Sequence, residues 1–252
     1  MQPREQLGQL IGQLWAPAIA AIARVRHARM FHAVGRLCRG RFHPSAELGP
    51  YADVANQLGR SVLVRCSPAL SKRQREWFDV LGVALRFHDG PIDSVEPADG
   101  DQDLLFATIR SPFTMAFSPF VTDAHDYLGN RYWAVSPFAL PGGERVELRL
   151  DPARPSPHAA TRDDRLAAAI RAGAAWFTLR ARRTLTRRWE PLGDVELVEL
   201  VAADAPGALD QERLRFDPFR AGAGLEPVGT VHAIRRAAYA ASQRARPHHG
   251  GA

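Results

Sequence analysis

The stretch IRRAAYAASQRAR, residues 234–246, places a single tyrosine, Tyr239, between Arg235 one helical turn before it and Arg246 two turns after it. Residues four apart on a helix share a face, so Arg235 lies beside the phenol. A phenol ionises near ~10 and is a poor anionic ligand at neutral pH unless positive charge stabilises its phenolate. Arg235 can supply that charge. The plainer alternative is a helix tyrosine shielded by surface arginines, and the rest of the chain has to decide between the two.

Such a helix needs a body to position it. From residue 30 onward, runs of strand length alternate with turn signals: MFHAVGRLCRGRF, SVLVRCS, LGVALRFHD and DQDLLFATI. The rhythm breaks in RSPFTMAFSPFVTDAHDYLGN, where TDAHDYLG reads as a helix, and resumes with RYWAVSPFAL and RVELRLDP around a Pro-Gly-Gly turn. DDRLAAAIRAG, residues 163–173, predicts a short helix capped by Asp and closed by Gly173. AWFTLRARRTL and DVELVELVA add two strands, and the irregular LRFDPFRAGAGLEPVG leads into the closing helix. This order predicts an α+β protein, one antiparallel sheet of eight strands curled into a barrel with helices packed outside and at its mouth, rather than a βαβ alternation.

Composition narrows the class. The 252 residues are 46% hydrophobic, enough for a sizeable core without staples. Cys38 and Cys66 are too few for a disulfide framework and lack metal-ligand spacing, so a reducing, cytoplasmic setting is expected. Near the N-terminus the apolar stretch ends at Arg24 and Arg26, short of the roughly 20 residues a membrane span needs. Residues 1–26 read as an amphipathic helix packing on the body, with no integral membrane association. The net charge of +6 comes mostly from arginine, and no interleaving of aromatic and basic residues on adjacent strands supports a nucleic-acid partner.

FDPFRAGAGLEP followed by RRAAYAASQRAR resembles the C-terminal signature of the heme catalase family, an FDP…G-I-E-P stretch leading into R-x-x-x-Y-x-x-x-x-x-x-R. RMFHAVG is similar to that family's R-x-x-H-A-x-G, SVLVRCS to its V-F-V-R-F-S, LGVALRF to its R-G-F-A-L-K-F, and DQDLLFAT to its W-D-L-V-G-N-N. The likeness runs over residues 27–246 as one domain, leaving residues 247–252 as a disordered tail. It implies a catalase-type barrel with heme b between the barrel and the C-terminal helix.

The resemblance assigns roles residue by residue. Tyr239 would be the fifth ligand of the heme iron, with Arg235 holding it anionic. Arg29, Arg65 and Arg246 match positions whose guanidinium groups bind the heme propionates, a task suited to arginine's bidentate fork. His32 matches the distal histidine that moves a proton between the peroxide oxygens, work for which an imidazole's pKa is suited. Thr108 stands where the family holds an asparagine that orients peroxide, and a threonine hydroxyl is shorter with a single donor. Phe31 is bulky where the family holds a small β-branched residue. Heme binding is therefore expected with weak catalase activity.

The chain has no room for the arm, wrapping and helical domains of large catalases, and is similar instead to small catalase-related heme proteins. That implies a peroxidase acting on hydrogen peroxide or organic hydroperoxides with a small-molecule reductant, and a homodimer by family analogy. Two other readings stay open. One is a hydroperoxide isomerase of the allene oxide synthase type, although Phe31 does not match the threonine of that branch. The other is a non-catalytic heme-binding or sensing protein.

Overall fold

The computed structural model describes residues 35–46, 49–70, 76–202, 209 and 213–228. The expected helix at 1–26 and tail at 247–252 lie outside these residues. Ten strands follow in chain order: β1 Arg36–Pro44, β2 Ser61–Pro68, β3 Leu81–His88, β4 Gln102–Ala107, β5 Tyr132–Ala134, β6 Phe138–Ala139, β7 Arg145–Pro152, β8 Trp176–Arg183, β9 Glu190–Leu200 and β10 Glu226–Pro227. The helices are α1 Ala52–Gln57, α2 Ser118–Val121, directly after a 3-10 turn at Pro112–Phe117, and α3 Arg162–Arg171.

Eight of the strands close on themselves, every pair antiparallel, in the order β1-β2-β3-β4-β5-β7-β8-β9 and back to β1. Closure pairs each of these eight strands on both sides, while the two-residue strands β6 and β10 extend the sheet beside β7 and leave only a short edge at β10. Alternate residues point inward and fill the barrel: Val62, Val64 and Cys66 from β2, Val83, Leu85 and Phe87 from β3, Leu148 and Leu150 from β7, Phe177 and Leu179 from β8. Each such side chain contributes about 1.5–3 kcal/mol on burial, so the filled interior drives closure.

A second apolar layer lies outside the wall. Leu37 of β1 and Leu63 of β2 face outward and pack with Ile92, Val95, Val201, Leu209 and Leu214. β2 is thus covered on both faces, which is why SVLVRCS reads as a continuous apolar run rather than an alternation. At the register shift between Arg39 and Gly40, a side chain on Gly40 would run into the Glu196 carbonyl.

Three local expectations change. α3 begins at Arg162, and its cap is Thr161, whose hydroxyl accepts from Asp164 N at 3.1 Å; the aspartates sit in the first turn. TDAHDYLG is not helical. Asp123 Oδ1 accepts from His125 N at 2.9 Å, Asp126 Oδ1 from Leu128 N at 2.8 Å and Asn130 Oδ1 from Asp123 N at 2.9 Å, so local side-chain bonds displace the helical ladder. RYWAVSPFAL is two strands, β5 and β6, separated at Val135–Pro137, where proline has no N–H to offer.

Candidate functional site

Strand alternation sends Arg65 outward from β2, onto the face that carries Leu37 and Leu63. Across the wall its register partners are Leu37 on β1 and Ala84 on β3, and Ala84 in turn pairs with Leu105 on β4. The next outward row, towards the end of the barrel where β1 enters, is Ser67, Gly82 and Ala107. The centre of this face is therefore built from Gly82, Ala84 and Ala107, flanked by the guanidinium of Arg65.

Arg65 is buried, and that burial, followed by the nearby charge of Arg215, holds its pKa below the ordinary value. Gly35 approaches it closely. A Cβ there would lie 2.7 Å from Arg65 Nε and 3.0 Å from the Cys66 carbonyl, so the chain enters β1 directly against this arginine. His32 and Arg29 precede Gly35 in sequence but lie outside the described residues, as do Tyr239, Arg235 and Arg246.

Thr108, just past β4, is buried and tied into the strand end. Its N–H donates to the Leu81 carbonyl at 3.0 Å, and its Oγ1 accepts from Leu81 N at 3.1 Å. Thr122 Oγ1 lies 2.8 Å from both Thr108 Oγ1 and the Ser118 carbonyl. One threonine proton serves those two acceptors; when it goes to Ser118, the Thr108 proton closes the pair. A ligand bonded to Thr108 has to compete with Thr122. Thr108 also lines an open cleft of about 720 Å³ with Val121, Arg131, Trp133 and Arg180.

The sequence motif FDPFRAGAGLEP has a physical role that its resemblance does not state. Asp103 of β4 accepts two bonds from Arg86 of β3 and one from Asp217 N at 2.7 Å, with Arg220 Nε at 3.4 Å. Arg86 also donates to the carbonyls of Val95, at 2.8 Å, and Arg215, and its guanidinium lies 5.3 Å from the Phe216 ring centroid. Burial pushes the Asp103 carboxyl above its usual range, against the pull of Arg86 and the Asp217 N–H.

Beside it, Gln102 Nε2 donates to Arg220 O at 2.8 Å, and Gln102 Oε1 accepts from Ala223 N and Leu225 N at 3.3 Å each. These bonds fix residues 215–220 on the outside of β3 and β4 and turn residues 221–225 over the start of β4, where Ala223 and Leu225 join the interior cluster. β10 then pairs with β6, and Val228 N donates to Pro137 O at 2.8 Å. β6 runs antiparallel to both β7 and β10, so at Val228 the chain is directed along the wall towards the end of the barrel that holds Thr108 and Gly35. Gln102, Asp103 and Arg86 were not singled out from sequence. The available signal was charge inside otherwise apolar strands, DLLFA and ALRF, which demands a buried partner.

Among the described residues no cluster of three or more His, Cys, Asp or Glu could hold a metal ion, and no helix is long and apolar enough to cross a membrane.

No family model matches the sequence, and no curated protein does. Solved structures do match. Catalase A from Saccharomyces cerevisiae is similar with a TM-score of 0.53 and 14% identity, over 91% of this chain and 64% of that one. A fungal catalase is similar with a TM-score of 0.52 and 14% identity, over 90% of this chain and 62% of that one. The chain spans slightly less than two thirds of the length of either. At this identity the likeness shows the fold: the barrel is of the catalase type.

Proposed function

We propose that this chain is a heme-binding oxidoreductase of the small catalase-related kind, reducing hydrogen peroxide or organic hydroperoxides. The observation that carries the reading is convergence on one wall of a catalase-type barrel. Arg65 is buried there, small residues form its centre, the chain enters at Gly35 against Arg65, and it leaves at Val228 directed along the same side. The face fits the group as far as it is described: a flat macrocycle needs small side chains beneath it, and its carboxylates need a buried guanidinium at the rim.

In this reading Tyr239 ligates the iron as a phenolate, and Arg235 stabilises its charge. Arg65, with Arg29 and Arg246, binds the carboxylates. When bound, the heme supplies the iron centre at which the peroxide O–O bond is cleaved. His32 accepts a proton on a ring nitrogen from one peroxide oxygen and returns it to the other, so that water leaves from hydrogen peroxide or an alcohol from an organic hydroperoxide, and a small-molecule reductant supplies the two electrons.

A second reading, a heme-binding protein without turnover, is favoured by Thr108. A hydroxyl already bonded to Leu81 N and paired with Thr122 is a poor replacement for a free donor to peroxide.

The test is an absorption spectrum of the protein reconstituted with heme, wild type beside Tyr239→Phe, followed by peroxide turnover with His32→Ala. A high-spin ferric Soret spectrum that shifts or vanishes in Tyr239→Phe, with turnover lost in His32→Ala, supports the oxidoreductase. A spectrum of this kind with turnover no faster than that of free heme, and unchanged in His32→Ala, supports the second reading. A folded wild type that takes up no heme ends both.

A further inference from the structure

The barrel end that holds Thr108 carries an unusual group of exposed apolar side chains. Trp77 is 78% exposed, Phe117 66%, Phe120 73% and Val121 79%, with Phe78 also exposed. They come from two loops, the one before β3 and the turn Pro112–Val121, and the loops meet through an edge-on contact of Phe78 with Phe120, ring centroids 5.0 Å apart. With no role in the core, so many large apolar groups in one place mark an interaction surface.

Their form selects the partner. Trp77, Phe117 and Phe120 stand out from the surface rather than lining a groove or a flat face, while Val121 lines the cleft beside them. A protein partner must supply a matching pocket for each such tip, whereas a bilayer accepts protruding Trp and Phe with no shape match. The surrounding charge is mainly positive. Arg131, 63% exposed at its side chain, and Arg180 line the same cleft as Val121 and share one acid there, Asp151, at 3.7 and 3.1 Å; Arg110 is exposed just before the Pro112–Val121 turn, and Asp123 is an exposed acid beside them. The chain as a whole carries +6.

We propose that this end of the barrel docks on anionic lipid bilayers, with Trp77, Phe117, Phe120 and Val121 entering the interface and Arg110 and Arg131 against lipid phosphates. Aromatic insertion and electrostatic attraction act together in such surface binding, which does not span the membrane.

The experiment is co-sedimentation of the full chain with phosphatidylcholine vesicles, with and without about a third phosphatidylglycerol, at low and high salt. The wild type is compared with Phe117→Ser/Phe120→Ser and with Arg131→Gln. These side chains are exposed, so the variants should keep the wild-type melting temperature. The expected result is sedimentation with the anionic vesicles, weakened by salt and by Arg131→Gln, and at least about tenfold weaker in the double variant because apolar burial drives interfacial binding. A blue shift of tryptophan emission on binding, quenched by brominated lipid and lost in Trp77→Ser, is the second readout. Wild type that stays in the supernatant overturns the proposal. So does full binding by the double variant, which assigns binding to another part of the chain. A concentration-dependent dimer without lipid, abolished by the double variant, overturns it in favour of a second copy on this surface.

Discussion

Arg86 and Asp103 face one another across β3 and β4 and join through two parallel hydrogen bonds, Nε to Oδ1 at 2.8 Å and Nη2 to Oδ2 at 3.0 Å. Both are buried, and both reach past the sheet to residues 215–220. Removing one partner leaves a charge buried without its counter-charge. Asp103→Ala should cost about 3–5 kcal/mol in urea unfolding, the range for breaking a buried pair from one side. Asp103→Asn, which keeps the shape, should cost less. Equal and small losses in both variants would show that the pair does not hold this segment.

Gly222 sits inside the docked motif, with its N–H donating to Asp101 O at 3.0 Å. A Cβ there would overlap the carbonyl group of Gly100, which is backbone and cannot swing away. Gly222→Ala should therefore lift this segment at a cost of about 1–3 kcal/mol, the usual range for forced overpacking. Hydrogen exchange should show lost protection at the amides of Asp217, Gly222 and Ala223 while β2 and β3 keep theirs. Unchanged protection at these amides would refute the close approach.

Cys38 and Cys66 are buried inside the barrel, and burial pushes the Cys38 thiol up to about 12 and the Cys66 thiol well above its usual value. A disulfide reagent at pH 8 should find neither thiol in the native protein and both in denaturant. The folded state keeps protons that the unfolded chain releases. Stability from these groups is then complete below about pH 9, and each thiol lowers it by up to about 1.4 kcal/mol per pH unit as pH rises from there towards its folded pKa. A stability curve flat from pH 9 to 11 would contradict the assignment.

On the heme reading, Arg65→Leu removes a buried cation from the carboxylate end of the site. A hydrogen bond to a charged group contributes about 1.5–3 kcal/mol, so heme transfer to apomyoglobin should accelerate roughly tenfold to a hundredfold. Circular dichroism of the apoprotein checks that the barrel persists. Heme loss at the wild-type rate would take Arg65 out of the site.

The barrel is largely legible in the sequence, because its signal is local. Period-two alternation in RVELRLDP and the doubly covered runs SVLVRCS and LGVALRF mark strands whatever they pair with. The misreadings at Thr122–Gly129 and at the cap of α3 were also local, but they turned on side chains bonding backbone groups two to seven residues away, a competition that composition does not decide. At the candidate site, the motif SVLVRCS points to Arg65, and its burial on the outer face of β2 comes from the structure. Gln102, Asp103 and Arg86 were not legible, because their partners stand at residues 215–225, far along the chain.

What the sequence determined by itself is the eight barrel strands, since strand length and turn signals are local; the short β6 and β10, and the inward face of the doubly covered β2 and β3, came with the tertiary structure. Which outward face becomes a candidate site was decided only by tertiary structure. Closure pairs β1 with β9 and β7 with β8, and the clamp on β4 returns the chain to the wall that it entered beside. Such contacts depend on register between distant segments, and no local pattern encodes register between strands that have yet to meet.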